Sequence, residues 1–230
     1  MIERDTQDGR AVPGPGAGAG DGTGATGDVR KLEPVTLEGA HVRLEPLSET
    51  HLDDLCRVGL DPDIWRWTTS TISSREELRG FIDQALRDAR AGTALPFATI
   101  HRGSGRAVGS TRFGNIAMEH RRLEVGWTWL GRDYQRTAIN TEAKYLMLRH
   151  AFEVIGIHRV EIKTDVLNER SRAAIVRLGA QEEGILRKHL ITDSGRARDS
   201  VMHSIIDDEW PAVRARLEAL MAASLTHGAR

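Results

Sequence analysis

Between Leu123 and Phe152 the chain reads LEVGWTWLGRDYQRTAINTEAKYLMLRHAF. An apolar run of strand type leads into Gln135, Arg136, Thr137, Ala138, Ile139, Asn140 and Thr141, a turn dense in hydrogen-bonding groups. A strongly amphipathic pattern follows. A strand that enters a helix through such a turn makes an anion site, because the first-turn N–H groups lack partners and the helix dipole favours negative charge. Asn140 and Thr141 can cap the helix while leaving backbone donors free. Arg136 can add a charge-assisted contact to phosphate. The turn is neither a GxxxxGK[ST] triphosphate loop nor a GxGxxG dinucleotide turn.

Other reactive residue types are sparse. Asn168 is placed to cap a helix over 168–178, with Ser171 in its first turn. Nine histidines are scattered, with no HExxH pair and no cysteine partners, so no metal site is expected. Cys56, the single cysteine, excludes an intrachain disulfide and reads as a small core residue. Arg187-Lys188-His189 forms a short basic run that reads as a solvated strand face.

The elements that must hold these groups follow from periodicity. Leu37–Leu47 alternates as one half-exposed strand stopped near Pro46. Ser48 opens a helix to about Val58, and a loop through Asp61-Pro62 carries Trp65 and Trp67. Ser73-x-x-Glu76 and Ser74-x-x-Glu77 both fit a capping box for the next helix, which ends at Gly92. Pro96–His101 and Ala107–Phe113 form a hairpin across Arg102-Gly103-Ser104-Gly105. Leu123–Leu130 is a fourth strand, and a helix starting at Asn140 or Thr141 runs to Gly156. Arg159–Val166 is a fifth strand. The 168–178 helix ends at Gly179. Gln181–Ile191 and Arg198–Ile206 form a second hairpin, and a last helix with Pro211 in its first turn closes the chain. The order β-α-α-β-β-β-α-β-α-β-β-α, with hairpins and one strand-helix-strand crossover, implies a mixed α/β sheet.

Length and composition set the outer limits. At 230 residues the chain suits one ordinary domain with appendages. Residues 1–30 are Gly/Ala/Pro-rich without periodicity and read as a flexible tail, residues 31–224 as the folded domain, and 225–230 as a C-terminal tail. A net charge of −1 gives no broad basic field for nucleic acid. No apolar run reaches membrane-spanning length, and no signal peptide is recognised, so a cytoplasmic location is expected.

The strand, turn and central helix resemble the cofactor-binding core of the GCN5-related N-acetyltransferases (GNAT), in the branch similar to RimJ and RimL. Two motifs carry the resemblance. The family pattern Gln/Arg-x-x-Gly-x-Gly/Ala is met by Gln135-Arg136-Thr137-Ala138-Ile139-Asn140, with Ala138 and Asn140 in place of the small residues. Downstream, DVLNERSRAAIVRLGA matches N-x-x-S…LG through Asn168, Ser171, Leu178 and Gly179. The resemblance covers roughly Leu37 to Leu220. It implies the acyl-CoA N-acyltransferase fold: a mixed, mostly antiparallel central sheet of about seven strands flanked by helices.

It also implies acetyl-CoA as co-substrate. The pantetheine arm would lie along Trp129 and Leu130, the pyrophosphate on Gln135 to Thr141, and Asn168 and Ser171 would meet the arm. Trp65 and Trp67 would wall the acceptor groove with His120 nearby. Glu124 is the first candidate for the base and Ser171 for the acid, since the family's usual tyrosine position falls at Ile175. The expected reaction is direct attack of a primary amine, either a protein N-terminus or a small-molecule amine, within a ternary complex. The branch allows a homodimer. The competing reading is a non-catalytic acyl-CoA-binding or regulatory module on the same fold.

Overall fold

The computed structural model describes residues 32–227, with side chains to 223. The expected tail over 1–30 lies outside the described residues. The last helix is described to His227, past the expected domain end at 224.

The chain forms β1 (Leu37–Glu38), β2 (Val42–Pro46), α1 (Leu52–Gly59), α2 (Pro62–Trp65), α3 (Arg75–Arg90), β3 (Leu95–His101), β4 (Arg106–Ala117) and β5 (Arg122–Leu130). There follow α4 (Ala138–Arg149), β6 (Arg159–Asp165), α5 (Glu169–Leu178), β7 (Gln181–Ile191), β8 (Ala197–Ile206) and α6 (Trp210–His227). One eight-stranded sheet runs β1-β2-β3-β4-β5-β6-β8-β7. Every pairing is antiparallel except β5 with β6.

Helices cover both faces. One core joins α4, α5 and α6 to the sheet through residues such as Phe97, Phe113, Val125, Leu146, Met147 and Val160. The other packs α1 and α3 on the opposite face through Leu55, Trp65, Ile82, Ala98 and Trp129. Coverage on both sides explains why β3 is buried from Leu95 to Ile100 instead of alternating. β7, at the sheet edge, is mostly exposed.

Three local departures from the sequence pattern matter. The expected single strand Leu37–Leu47 is two short strands around a turn at 39–41. That turn is fixed by Glu142 of α4, whose carboxylate accepts the N–H groups of Ala40, His41 and Val42 at 2.7, 2.7 and 2.8 Å. Gly39 is required there, because a Cβ would collide with that carboxylate. The loop expected after Asp61 contains α2, with Pro62 in its first turn and the Asp61 side chain as cap. The central helix begins earlier than expected, and its last residues, His150–Ile155, widen into a π-helix. This ends at Gly156, at φ +78. The wide turn stacks Phe152 on Trp210 and brings Glu153 Oε1 to 2.9 Å from Trp210 Nε1.

Candidate active site

The site begins where the sheet parts. β5 and β6 pair only at Arg122–Arg159, Leu123–Val160 and Glu124–Glu161. Beyond Glu124 the strands diverge, leaving the edge of β5 from Val125 to Leu130 without a partner strand on that side. A bulge sharpens the divergence. Ser110 faces Trp129 and Arg112 faces Gly126, so β5 spends one more residue than β4. The extra residue is Trp127, at φ +50. Its ring sits 5.5 Å from Lys163 Nζ and 5.1 Å from Arg112 Cζ.

Glu124 stands at the fork, 3% exposed. Its Oε2 accepts a 2.6 Å bond from Asn115 Nδ2 and is ion-paired with Lys163 Nζ. Gly126 leaves room for the other oxygen, since a Cβ there would stand 2.7 Å from Glu124 Oε1. Neither Asn115 nor Lys163 was singled out in the sequence as Glu124's partner. Asn115 lies four residues beyond Thr111 on a strand that outlasts the expected end at Phe113, and takes φ +47.

The turn before α4 forms the other end of the split. Thr137, not Asn140 or Thr141, is the cap: its Oγ1 accepts the Ile139 N–H at 3.3 Å and donates to the Tyr134 carbonyl at 2.8 Å. Ala138, Ile139 and Asn140 are thereby the first helical turn itself. Ile139 is buried, and Thr141 turns inward to accept from Arg177 Nη2 at 3.0 Å. Arg136 is exposed at φ +62, a backbone position that favours glycine. Gln135 donates to the Leu130 carbonyl at 2.9 Å and accepts from Arg170 of α5 at 3.2 Å, tying the turn to both sides of the split. Asn168 caps α5, accepting the Ser171 N–H at 3.0 Å. Ser171 is half-buried in that first turn.

Three expected site residues stand elsewhere. Trp65 is 5% exposed, packs 5.2 Å from Trp129 and 5.5 Å from Phe81, and donates to the Gly59 carbonyl. It is a core residue, not a groove wall. The Trp129 side chain is equally buried there, so only its backbone borders the split. His120 lies exposed in the β4–β5 turn, at the paired end of β5 and β6. Trp67 does remain partly open, between Arg66 and Arg196.

Trp67 belongs to a cationic face opposite α4. Arg112 is buried there, which holds its guanidinium down at about 10 against the pull of Asp88. Arg196 and Arg198 flank the buried Asp165 carboxylate. β7 adds His189. Between Leu186–Ser200 and Leu190–Arg198 it spends three residues against one on β8, with Lys188 at φ +52. That bulge turns His189 inward, so the basic run is not uniformly solvated. Burial and the charges of Lys163 and Arg198 lower the His189 pKa. The face is bridged where Asp193, in the β7–β8 turn, takes the Thr71 N–H at 3.0 Å and donates its own to the Thr69 carbonyl at 2.9 Å.

Lys144 is the functional candidate the sequence reading missed. It lies in the middle of α4, 6% exposed, and donates to Thr128 Oγ1 at 2.6 Å and to Thr111 Oγ1 at 3.4 Å. Burial holds its ammonium down at about 7, with Glu124 pulling the other way. No periodic signal marks it, because α4 is buried on nearly every side from Thr141 to Leu148 and carries no polar stripe. Among the described residues no helix is long and apolar enough to cross a membrane, and no His/Cys/Asp/Glu group could hold a metal ion.

Residues 41–181 match the family model described as an acetyltransferase (GNAT) domain. A Bacillus subtilis (strain 168) protein, YdaF, which carries a provisional ribosomal N-acetyltransferase name, is 33% identical over 106 residues, 46% of this chain and 57% of its own length. The chain thus spans little more than half the length of the curated relatives it matches. Among solved structures, a GCN5-related N-acetyltransferase from Brucella melitensis superposes with a TM-score of 0.77 at 32% identity, over 84% of this chain and 87% of that one. RimJ from Mycobacterium smegmatis, in complex with CoA-disulfide, gives 0.70 at 26% identity, over 81% and 95%.

Proposed function

The chain belongs to the GNAT family of N-acetyltransferases, and we propose that it moves the acetyl group of acetyl-CoA to a primary amine by direct attack in a ternary complex. The observation that carries this reading is the fork after Glu124. An extended arm can pair with the free edge of β5 only where β6 has moved away. The far end of that edge meets the first turn of α4, where free N–H groups and Arg136 suit a pyrophosphate. Asn168 and Ser171 would border the arm from α5. A backbone N–H of the open edge would take the developing oxyanion.

Glu124 would receive the amine's proton through Oε1, the oxygen that Asn115 and Lys163 leave alone. A lysine-like amine, with a solution pKa of about 10.4, needs this help more than a peptide α-amine at about 7.7–8.0. The ribosomal N-acetyltransferase name carried by YdaF supports a protein acceptor, and with it an N-terminal amine. The bridge from Thr69 and Thr71 to Asp193 narrows the acceptor face and supports a small amine instead.

Calorimetric titration with acetyl-CoA, followed by thiol release from a panel of free-N-terminal peptides and small amines, tests the proposal. Micromolar binding that weakens on Arg136→Glu, with turnover on one acceptor class, is the expected result. Glu124→Gln should lower kcat at least 100-fold while leaving acetyl-CoA affinity within about threefold. Unchanged turnover in that variant would remove Glu124 as base. Binding without turnover on any amine would favour a non-catalytic acyl-CoA module.

A further inference from the structure

The bulge at Trp127 does more than part the strands. Side chains alternate along a strand, so one extra residue reverses which face each later side chain meets. Before the bulge, odd-numbered Val125 packs in the α4 core. After it, even-numbered Leu130 does so, while Trp129 packs on the α1–α3 side. Thr128 therefore points its hydroxyl toward α4, where it lies 2.7 Å from Thr111 Oγ1 and 2.6 Å from Lys144 Nζ. Yet Thr128 is solvent-exposed, because β6 has diverged beside it. A buried ammonium is thus connected to the floor of the split through one hydroxyl.

Burying an ammonium without a carboxylate costs several kcal/mol, and a methionine would fill the same space without that cost. Among the described residues Lys144 forms no ion pair. Its own helix supplies Glu142, which is engaged by the Ala40, His41 and Val42 amides. On α6, Glu218 is engaged by Tyr145 and Arg214. β4 presents Thr111, and β5 contributes Glu124 at the fork, held by Lys163 of β6 and by Asn115 of β4.

We propose that Lys144, acting through the Thr128 hydroxyl, supplies the proton taken up by the sulfur that leaves acetyl-CoA. This rests on the reading that acetyl-CoA lies in the split. As the carbon–sulfur bond breaks, its electron pair goes to sulfur. Sulfur takes the proton of Thr128 Oγ, and Thr128 takes one from Lys144 Nζ. The acceptor ammonium gives up two protons as it becomes an amide. One, lost to solvent, makes good the loss at Lys144, and the other is taken by Glu124 and then released. The position where relatives of this family carry an acidic tyrosine is Ile175, buried in the core, so the relay fills an empty office. The lowered pKa of Lys144 means that its proton is held loosely at neutral pH.

The test needs no acceptor. Free CoA is titrated against wild-type protein and the thiolate absorbance of the bound form is followed with pH. A thiol facing the relay should ionise about one pH unit below free CoA, giving roughly tenfold more thiolate at a given pH. Lys144→Met and Thr128→Val should each return the thiol to its free value while CoA still binds. Thr128 is exposed, so its variant folds even if Lys144→Met does not. An unshifted thiol in bound wild type, or a shift that survives both variants and is lost in Ser171→Ala, would overturn the relay. Failure of CoA to bind wild type at all would sink the acetyl-CoA reading along with it.

Discussion

At the scale of single residues, charge is placed where burial makes it expensive. Lys144 is the plainest case. Its folded pKa, about 7, lies below the ordinary 10.5. Between those values the unfolded chain holds more protons than the folded one, so stability rises with pH across that window. Below pH 7 the full cost of burying the ammonium is present. Lys144→Met should therefore raise the urea midpoint most at pH 6, with the gain shrinking toward pH 10. An equal gain at every pH would show that the lysine is not the titrating group. The family resemblance pointed to Glu124, and the helix pattern to the cap at Asn168. Neither pointed to Lys144, Asn115 or His189. Each reaches the site through a bulge, a positive-φ residue or burial on a second side, and none of these leaves a periodic trace.

At the scale of elements, caps and stops were the readable features. Ser74 with Glu77 forms the capping box of α3, and Gly179 at φ +107 ends α5. The hairpins fall at Arg102–Gly105 and Asp193–Gly195, where glycine-rich turns put them. What escaped reading was set by distant contacts. The 39–41 turn exists because a carboxylate a hundred residues later binds its amides. Glu142→Ala would strand three N–H groups, that of Val42 buried, and loosen β1 and β2 from α4, at a cost of about 3 kcal/mol. Chemical denaturation measures that loss, and amide exchange at Ala40 to Val42 should quicken in step. A change below about 1 kcal/mol would mean that water replaces the carboxylate adequately.

At the scale of the whole molecule, several buried bases share one sign. His203 is fully buried, its Nε2 3.7 Å from the Glu182 carboxylate, and burial lowers its pKa, as it does for His150 and His189. The unfolded chain protonates these groups first as pH falls from about 6.5, so acid favours unfolding over that range. The denaturant midpoint should drop from pH 6.5 to 5, and His203→Leu should flatten the drop; a parallel curve would assign it to other groups. The fork has a consequence of another kind. A sheet normally exposes unpaired backbone only at its rims, where β7 lies here, but this one carries two further rims in its interior, along β5 after Glu124 and along β6 after Glu161. Such rims invite any extended chain to pair with them. The same vacancy that would admit a pantetheine arm is thus a route to self-association, and CoA should slow the rise of light scattering in a warmed, concentrated sample.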